Sequence, residues 1–180
     1  MEETVNLEAL GRKHGSDKVP HGYLGHYERY FLPWRMSELP MVEVGVWHGA
    51  SAKMWLEWFP LATVHGVDIL GPWVKDERYV HHQVDVMSGP LPEGPFSVVI
   101  DDGGHKGDQV EAAFKALWPR LVSGGVYAVE DIHAGYWPDY APSMVPFLKD
   151  LFDCVHKAGY GPYEVKELHI HESLLIAVKA

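Results

Sequence analysis

Residues 98–105 read VVIDDGGH and residues 126–133 read VYAVEDIH. Each stretch is an apolar run, typical of a buried parallel strand, that stops at two adjacent acids with a histidine close behind. In open α/β folds the carboxyl ends of parallel strands form the edge at which ligands bind. Because carboxylates that share a crevice repel each other unless a cation lies among them, the two stretches predict a metal site with a histidine beside it.

The composition is that of one globular domain that does not bind nucleic acid. The chain has 180 residues, of which 47% are hydrophobic, and its net charge of −10 argues against binding to phosphate backbones. Its apolar runs are too short to span a membrane and its first residues are acidic, so we expect a cytoplasmic protein with no membrane partner. The single cysteine, Cys154, excludes a disulfide framework and is best explained as an apolar residue on a helix.

Strand-like and helix-like segments alternate along the chain. The predicted strands span 41–46, 63–69, 79–87, 95–103 and 126–131, and the predicted helices span 50–59, 108–121 and 143–158. The last two runs, 163–171 and 173–180, predict an antiparallel hairpin.

This order predicts an α/β fold of the Rossmann-like type. We expect a seven-stranded, mainly parallel sheet with helices on both faces and a C-terminal antiparallel hairpin. Since no linker divides the chain, residues 1–180 are predicted to form a single domain. Within it, 1–35 would be a helical or lid segment and 40–180 the Rossmann-like core.

Three consecutive predicted strands carry acids at their ends, as a nucleoside site requires. Glu43 belongs to the first strand, and Asp68 ends the second at the position where nucleoside-binding folds place a ribose-binding carboxylate. Asp85, two residues after Gln83, ends the third strand, where an adenine or its ribose edge would lie. Any one of these acids could be a solvated strand end, but the series favours a nucleoside cofactor.

The turn after the first strand contains two glycines. Gly45 and Gly49 would let a ligand approach the backbone closely, and Ser51 is placed to cap the following helix. The spacing alone is a weak signal, because glycine turns also serve ordinary strand–helix packing. Trp47 occupies the place where a middle glycine is common in such turns.

These features together resemble the class I S-adenosylmethionine-dependent methyltransferases, whose sheet also ends in a hairpin. More narrowly, the chain is similar to the metal-dependent O-methyltransferases that modify macrolide sugars, and to relatives named cephalosporin hydroxylases. The similarity runs from about residue 11 to residue 137, through GSDKVPHGYLGHYERYF, VEVGVWHGASAKMW, IDDGGHKGDQ and VEDIHAGYW. It implies methyl transfer from S-adenosylmethionine, with Mg²⁺ or else Mn²⁺ bound, to a hydroxyl of a small molecule such as a secondary-metabolite sugar.

The resemblance also implies roles for the clustered acids. Asp102, Glu130 and Asp131 would bind the metal, and His105 would be the general base. Three hard oxygen ligands suit Mg²⁺ or Mn²⁺ better than zinc, and histidine can accept a hydroxyl proton near neutral pH. As alternatives, Asp131 could cap the following turn and His105 could be a loop residue that donates to a carbonyl group.

The remaining candidates are expected to contact the cofactor or the acceptor. In the N-terminal loop, Lys18 would meet the cofactor's carboxylate, unless this tyrosine-rich segment is only a lid that packs on the core. Asp101 would contact the cofactor or else bond backbone N–H groups. The cofactor set is Ser16, Lys18, His21, Tyr27, Glu43, Gly45, Gly49, Ser51, Asp68, Gln83, Asp85 and Asp101. His133, Tyr136 and Trp137 are candidates for the acceptor, and Tyr140 offers a further flat aromatic face that would suit a sugar ring or an aromatic acceptor.

Other functions and acceptors stay open at this stage. Iron-dependent hydroxylation usually needs two histidines and one carboxylate, which a set of three carboxylates disfavours. A non-catalytic cofactor-binding subunit is compatible with a chain that is short for the family. A catechol or polyphenol would chelate the metal as well as a sugar does. Several tryptophans and the small size are compatible with a homo-oligomer, although Trp55 and Trp58, at helical spacing, are expected in the core.

Overall fold

The structure is a computed structural model that describes residues 6–156 and 161–180. Seven strands form one sheet in the order β3-β2-β1-β4-β5-β7-β6. The strands are β1 Met41–Val44, β2 Val64–Asp68, β3 Tyr79–Gln83, β4 Phe96–Asp101, β5 Leu121–Val129, β6 Val165–Ile170 and β7 Leu175–Lys179. Strands β1 to β5 are parallel, and β7 runs antiparallel to both β5 and β6. The predicted fold class and C-terminal hairpin are therefore confirmed.

Five α-helices accompany the sheet in the described residues. They are α1 Leu7–His14, α2 Leu24–Phe31, α3 Ala50–Trp58, α4 Gly107–Leu117 and α5 Val145–His156. Helix α4 ends before the predicted residue 121 because Pro119 lies in a 3₁₀ turn over Trp118–Arg120. The first five residues of the chain and the last two of the helix predicted over 143–158 lie outside the described residues. None of the described helices has the length and hydropathy needed to cross a membrane.

Two apolar layers enclose the sheet. Trp55 and Trp58 on α3 are fully buried in the layer that also contains residues of α1 and α2, which confirms their predicted place in the core. Phe114 on α4 lies in the opposite layer, together with residues of α5, including the buried Cys154. Every residue of β4 is buried, as expected of a strand that is covered on both faces.

The carboxyl ends of the central strands meet at one edge of the sheet. Val44 pairs with Asp101, and Asp101 pairs with Val129, so the loops after β1, β4 and β5 begin side by side. The backbone N–H of Glu130 donates to the carbonyl of Asp101 at 2.9 Å. The two acid pairs are thus neighbours, as the sequence predicted. Strand β5 ends at Val129 rather than at 131, which leaves Glu130 and Asp131 in the turn.

Candidate functional site

A cavity of about 690 Å³ opens at this edge of the sheet. Its volume is in the usual range for small-molecule sites. Its walls come from the loops after β1, β2, β3 and β4, with Asp131 after β5 and two residues of the N-terminal segment. The lining includes Gly15, Asp17, Gly45, Trp47, Ser51, Asp68, Asp85, Asp101, Asp102, His105, Gln109 and Asp131.

Asp68 holds the turn after β1 in place. Its Oδ2 accepts from the backbone N–H groups of Val46 and Trp47 at 2.8 and 2.9 Å, and its Oδ1 accepts from that of Leu70 at 2.8 Å. Gly45 has φ 82°, and a Cβ there would collide with the carbonyl oxygen of Asp102. Glycine is therefore needed at 45 both for the backbone conformation and for the close approach of the β4 loop.

Ser51 and Glu43 bond to each other at the base of α3. The Ser51 hydroxyl donates to Glu43 Oε2 at 2.9 Å and Trp55 Nε1 donates to Glu43 Oε1 at 3.0 Å. The helix is capped instead by Gly49, at φ 78°, so the predicted Ser51 cap is wrong. Glu43 is fully buried, and this burial raises its pKa to about 7. The Glu43 side chain supports the turn but does not line the cavity.

Asp101 lines the cavity although it is almost fully buried. Tyr127 Oη and the backbone N–H of Gly103 donate to its carboxylate, each at 3.3 Å. Burial raises the pKa of Asp101 to about 7. The bond from Gly103 agrees with the predicted alternative, in which Asp101 bonds a backbone N–H group of the turn.

Asp102, His105 and Asp131 form a group that could hold a metal ion. One ligand atom from each lies within 4.8 Å of the others, and His105 Nε2 is 3.6 Å from Asp131 Oδ2. Two carboxylates and one imidazole are a donor set that fits a divalent cation. This group contains one histidine rather than the two of a facial iron triad. His105 and Asp131 have φ of 56° and 52°, a conformation that residues other than glycine adopt mainly where the surroundings impose it.

Glu130 lies outside this group, next to Lys18. Lys18 Nζ is 2.6 Å from Asp102 Oδ2 and 2.8 Å from Glu130 Oε1, and Glu43 Oε1 is 3.7 Å away. The Lys18 side chain is 1% exposed. Burial alone would lower its pKa, but the surrounding carboxylates raise the pKa well above its usual value. Lys18 thus pairs with protein acids and does not line the cavity where we expected it to meet the cofactor.

Two tyrosines one helical turn apart bond the acids that follow β5. Tyr23 Oη donates to Asp131 Oδ1 at 2.7 Å, and Tyr27 Oη donates to Glu130 Oε1 at 2.6 Å. Burial and the nearby Glu130 raise the pKa of Tyr27 well above its usual value, so it stays a donor. The bonds of both tyrosines end on predicted metal ligands, so α2 is tied to the metal group.

The other predicted residues lie at varying distances from the cavity. Ser16 is buried and accepts from the backbone N–H of Lys18 at 3.3 Å, and the His21 ring packs on Tyr23 at 5.4 Å. Gln83 Nε2 donates to the carbonyl of Ile69 at 3.3 Å. A Cβ on Gly49 would lie 2.6 Å from the side chain of Val74, so this glycine serves packing. Ser16, His21, Tyr27, Gly49 and Gln83 do not line the cavity.

An aromatic row leads outward from His105. The ring of Tyr140 lies 6.0 Å from those of His105 and Trp137, and the ring of Trp137 lies 4.7 Å from that of His133. Tyr136 and Trp137 are 77% and 51% exposed. The sequence analysis missed Gln109 as a lining residue, although it stands in the IDDGGHKGDQ stretch. Tyr140 comes near His105 only because the 3₁₀ turns at Ile132–Tyr136 and Pro138–Tyr140 fold the chain back.

A Rossmann-like sheet that ends in an antiparallel hairpin, with acids at successive strand ends, defines the methyltransferase class. The chain belongs to the methyltransferase domain family, whose profile matches residues 42–132.

Among curated proteins, the chain is 37% identical to the 8-demethyl-8-alpha-L-rhamnosyl tetracenomycin-C 2'-O-methyltransferase of Streptomyces olivaceus, over 98% of this chain and 55% of that protein. It is 29% identical to the mycinamicin VI 2''-O-methyltransferase of Micromonospora griseorubida, over 88% of this chain and 48% of that protein. Among solved structures, the methyltransferase MycE of the mycinamycin pathway, in complex with Mg, SAH and mycinamycin VI, superposes with a TM-score of 0.88 at 28% identity. That match covers 99% of this chain and 55% of MycE, so the chain spans about half the length of these relatives.

Proposed function

We propose that this chain is the catalytic domain of an O-methyltransferase that uses S-adenosylmethionine and Mg²⁺ to methylate a sugar hydroxyl of a secondary metabolite. The observation that carries the proposal is that Asp102, His105 and Asp131 line the same cavity as Asp68 and Asp85. A metal-type donor group and a nucleoside-type pocket thus open into one space. The names of the relatives and the MycE complex with Mg and SAH support the same chemistry.

In this proposal the loops after β1 to β3 bind the nucleoside end of the cofactor. The carboxylates of Asp68 and Asp85 suit the ribose hydroxyls and the adenine edge. The turn at Gly45 lets the cofactor approach the backbone, and Gly15 and Asp17 also line the cavity. Bound in this way, the cofactor would present its methyl group toward the β4 loop that carries Asp102 and His105.

Asp102 and Asp131 would hold the metal ion, and Glu130, which contacts Lys18 together with Asp102, would be the third carboxylate of the centre. A bound Mg²⁺ supplies orientation of the acceptor and lowers the pKa of a coordinated hydroxyl. His105 Nε2 would then accept the hydroxyl proton as general base. Asp131 Oδ2, 3.6 Å from that nitrogen, would stabilise the imidazolium that forms.

The aromatic row next to His105 would bind the acceptor. Tyr136 and Trp137 are exposed, the ring of Tyr140 lies 6.0 Å from that of His105, and apolar ring faces suit the C–H face of a sugar. The acceptor's hydroxyl would then lie between His105 and the metal group. We infer a deoxy-sugar such as a rhamnosyl group as the acceptor class, in line with the substrate named for the 37% identical relative.

Two measurements test this function. Calorimetry with S-adenosylhomocysteine, with and without Mg²⁺, should give a Kd well below about 1 mM. Mass spectrometry should detect one added methyl group on a rhamnosylated acceptor when S-adenosylmethionine and Mg²⁺ are present, and none with EDTA. No binding of S-adenosylhomocysteine at millimolar concentration would overturn the proposal. Activity that required Fe²⁺ and oxygen would indicate hydroxylation instead of methyl transfer.

A further inference from the structure

Lys18 occupies an unusual place for a lysine. Its side chain is 1% exposed, yet its ammonium group faces the carboxylates of Glu43, Asp102 and Glu130. Two of these acids, Asp102 and Glu130, lie within hydrogen-bond distance of Nζ, and Glu43 is an ion-pair partner at 3.7 Å. Since Lys18 does not line the cavity, it acts on the site through the acids that it contacts.

The acids around the metal group outnumber the cations. Glu43, Asp102, Glu130 and Asp131 are connected through contacts with Lys18, Tyr23 and Tyr27. Within the described part of the chain, Lys18 is the one lysine or arginine that is ion-paired with any of them. Carboxylates packed this closely repel each other strongly in a buried site. Lys18 therefore supplies the positive charge that lets Asp102 and Glu130 lie side by side.

Asp102 has the position of a bridging ligand. Its Oδ2 contacts Lys18, and one of its carboxylate oxygens also belongs to the group with His105 and Asp131. In two-metal enzymes, two divalent ions about 3.5–4 Å apart are held by shared ligands. Here an ammonium group of the protein itself lies against Asp102 and Glu130, where such a site would hold its second ion.

The backbone fixes Lys18 in this position. The turn that follows α1 begins at Gly15, with φ 68°, and Ser16 Oγ accepts from the N–H of Lys18. The carbonyl of Lys18 accepts from the N–H of Tyr23 at the start of α2. Since the N–H and the carbonyl of Lys18 are both hydrogen-bonded, the backbone holds the ammonium group next to the acids with little conformational freedom.

We propose that Lys18 is a positioning residue that serves as a permanent internal cation, taking the place of a second divalent ion and limiting the centre to one metal ion. The proposal rests on the proposed function, because it assumes that Asp102 and Asp131 bind a divalent ion beside His105. It goes further by stating how many ions the centre holds and which side chain decides that number.

The test compares Lys18→Met with the wild-type chain, because methionine keeps much of the apolar volume and removes the charge. Lys13→Met is the matched control, since Lys13 is exposed and pairs with Glu57 away from the site. Thermal unfolding is measured in EDTA and in saturating Mg²⁺, and Mn²⁺ binding is counted by electron paramagnetic resonance without cofactor or acceptor.

We expect one Mn²⁺ per wild-type chain and two per Lys18→Met chain. In EDTA the Lys18→Met chain should unfold about 10 °C below the wild type, because its buried acids lose their cation. Saturating Mg²⁺ should restore most of the lost thermal stability, since a divalent ion takes the place of the ammonium group. The Lys13→Met control should match the wild type in both buffers.

Other outcomes separate this inference from the proposed function. Two Mn²⁺ ions per wild-type chain, or one per Lys18→Met chain, would overturn the inference and leave the metal-dependent methyltransferase intact. A Lys18→Met chain that is not restored by Mg²⁺, or that fails to fold even with Mg²⁺ present, would assign Lys18 an ordinary structural role. No Mn²⁺ binding by the wild type would remove the metal from the proposed function itself.

Discussion

His105 Nε2 lies 3.6 Å from Asp131 Oδ2, and both residues have backbone φ angles in the left-handed region. The two side chains come from different loops, the one after β4 and the one after β5. Since a non-glycine residue at positive φ costs free energy, the surrounding structure must impose both conformations. The Asp131 side chain is also bonded by Tyr23, so the imidazole faces a carboxylate whose orientation is set from the N-terminal segment.

Replacement of His105 by alanine tests its role as general base. We expect kcat for methyl transfer to fall about 10²- to 10⁴-fold, the usual contribution of a general base. The Kd for S-adenosylhomocysteine should be unchanged, because the ring faces the metal group. His169→Ala, on strand β6, is the control and should keep the wild-type rate. A His105→Ala chain with full activity would show that another group takes the proton.

Gly45→Ala should disrupt the cofactor side of the cavity. The new Cβ would collide with the carbonyl of Asp102 and would be held at φ 82°, so the turn after β1 must move. We expect the affinity for S-adenosylhomocysteine to fall at least about tenfold and Tm to drop by several degrees. Gly25→Ala in α2 is the control, because a Cβ there meets open space and alanine favours a helix. Equal cofactor affinity in the two variants would contradict the proposed role of the turn.

Tyr23→Phe tests whether α2 orients the metal group. Removal of the hydroxyl that donates to Asp131 Oδ1 should weaken Mn²⁺ binding about 10- to 100-fold, as is usual for partners of metal ligands. Tyr30→Phe, on the same helix, is the matched control and should bind Mn²⁺ as the wild type does. Calorimetric titration measures the Kd for Mn²⁺ of both variants. An unchanged Kd for Tyr23→Phe would show that the bond stabilises the fold and does not orient the metal group.

Trp137→Ala should weaken binding of the acceptor and leave the affinity for the cofactor unchanged. The side chain is 51% exposed and lies outside the cavity lining, in the aromatic row that ends at His105. We expect KM for a rhamnosylated acceptor to rise about fivefold, from the loss of one aromatic contact worth about 1 kcal/mol. Phe152→Ala, an equally exposed change on α5, is the control. A fall in kcat with no change in KM would contradict a role of Trp137 in binding the acceptor.

His65 should make the fold sensitive to acid. Burial and the nearby His82 lower the pKa of His65 from 6.5 to about 4. Between these two values the folded chain keeps His65 neutral while the unfolded chain binds a proton, so the free energy of unfolding falls as the pH drops. Thermal unfolding from pH 7.5 to pH 4.5 should show a shallower loss for His65→Gln than for the wild type. The exposed His156→Gln serves as the control, and identical slopes for His65→Gln and wild type would contradict this origin.

Much of the architecture could be predicted because local patterns encode it. The apolar runs 98–100 and 126–129 became adjacent parallel strands, and the acids behind them became neighbours through strand register. Errors occurred where a nonlocal contact replaced a local one. Ser51 bonds Glu43 instead of capping α3, and β5 stops at Val129 because the next residues turn to meet the N-terminal segment.

By itself, the sequence determined the class of fold and the edge of the sheet at which the acids gather, because strand periodicity and glycine turns act over a few residues. Only the tertiary structure decided how those acids are divided. It placed Asp131 next to His105. It placed Glu130 next to Lys18 and Tyr27, which come 112 and 103 residues before it in the chain. A buried lysine is stable only where folding assembles enough carboxylates around it, and no local pattern near Lys18 contains that information.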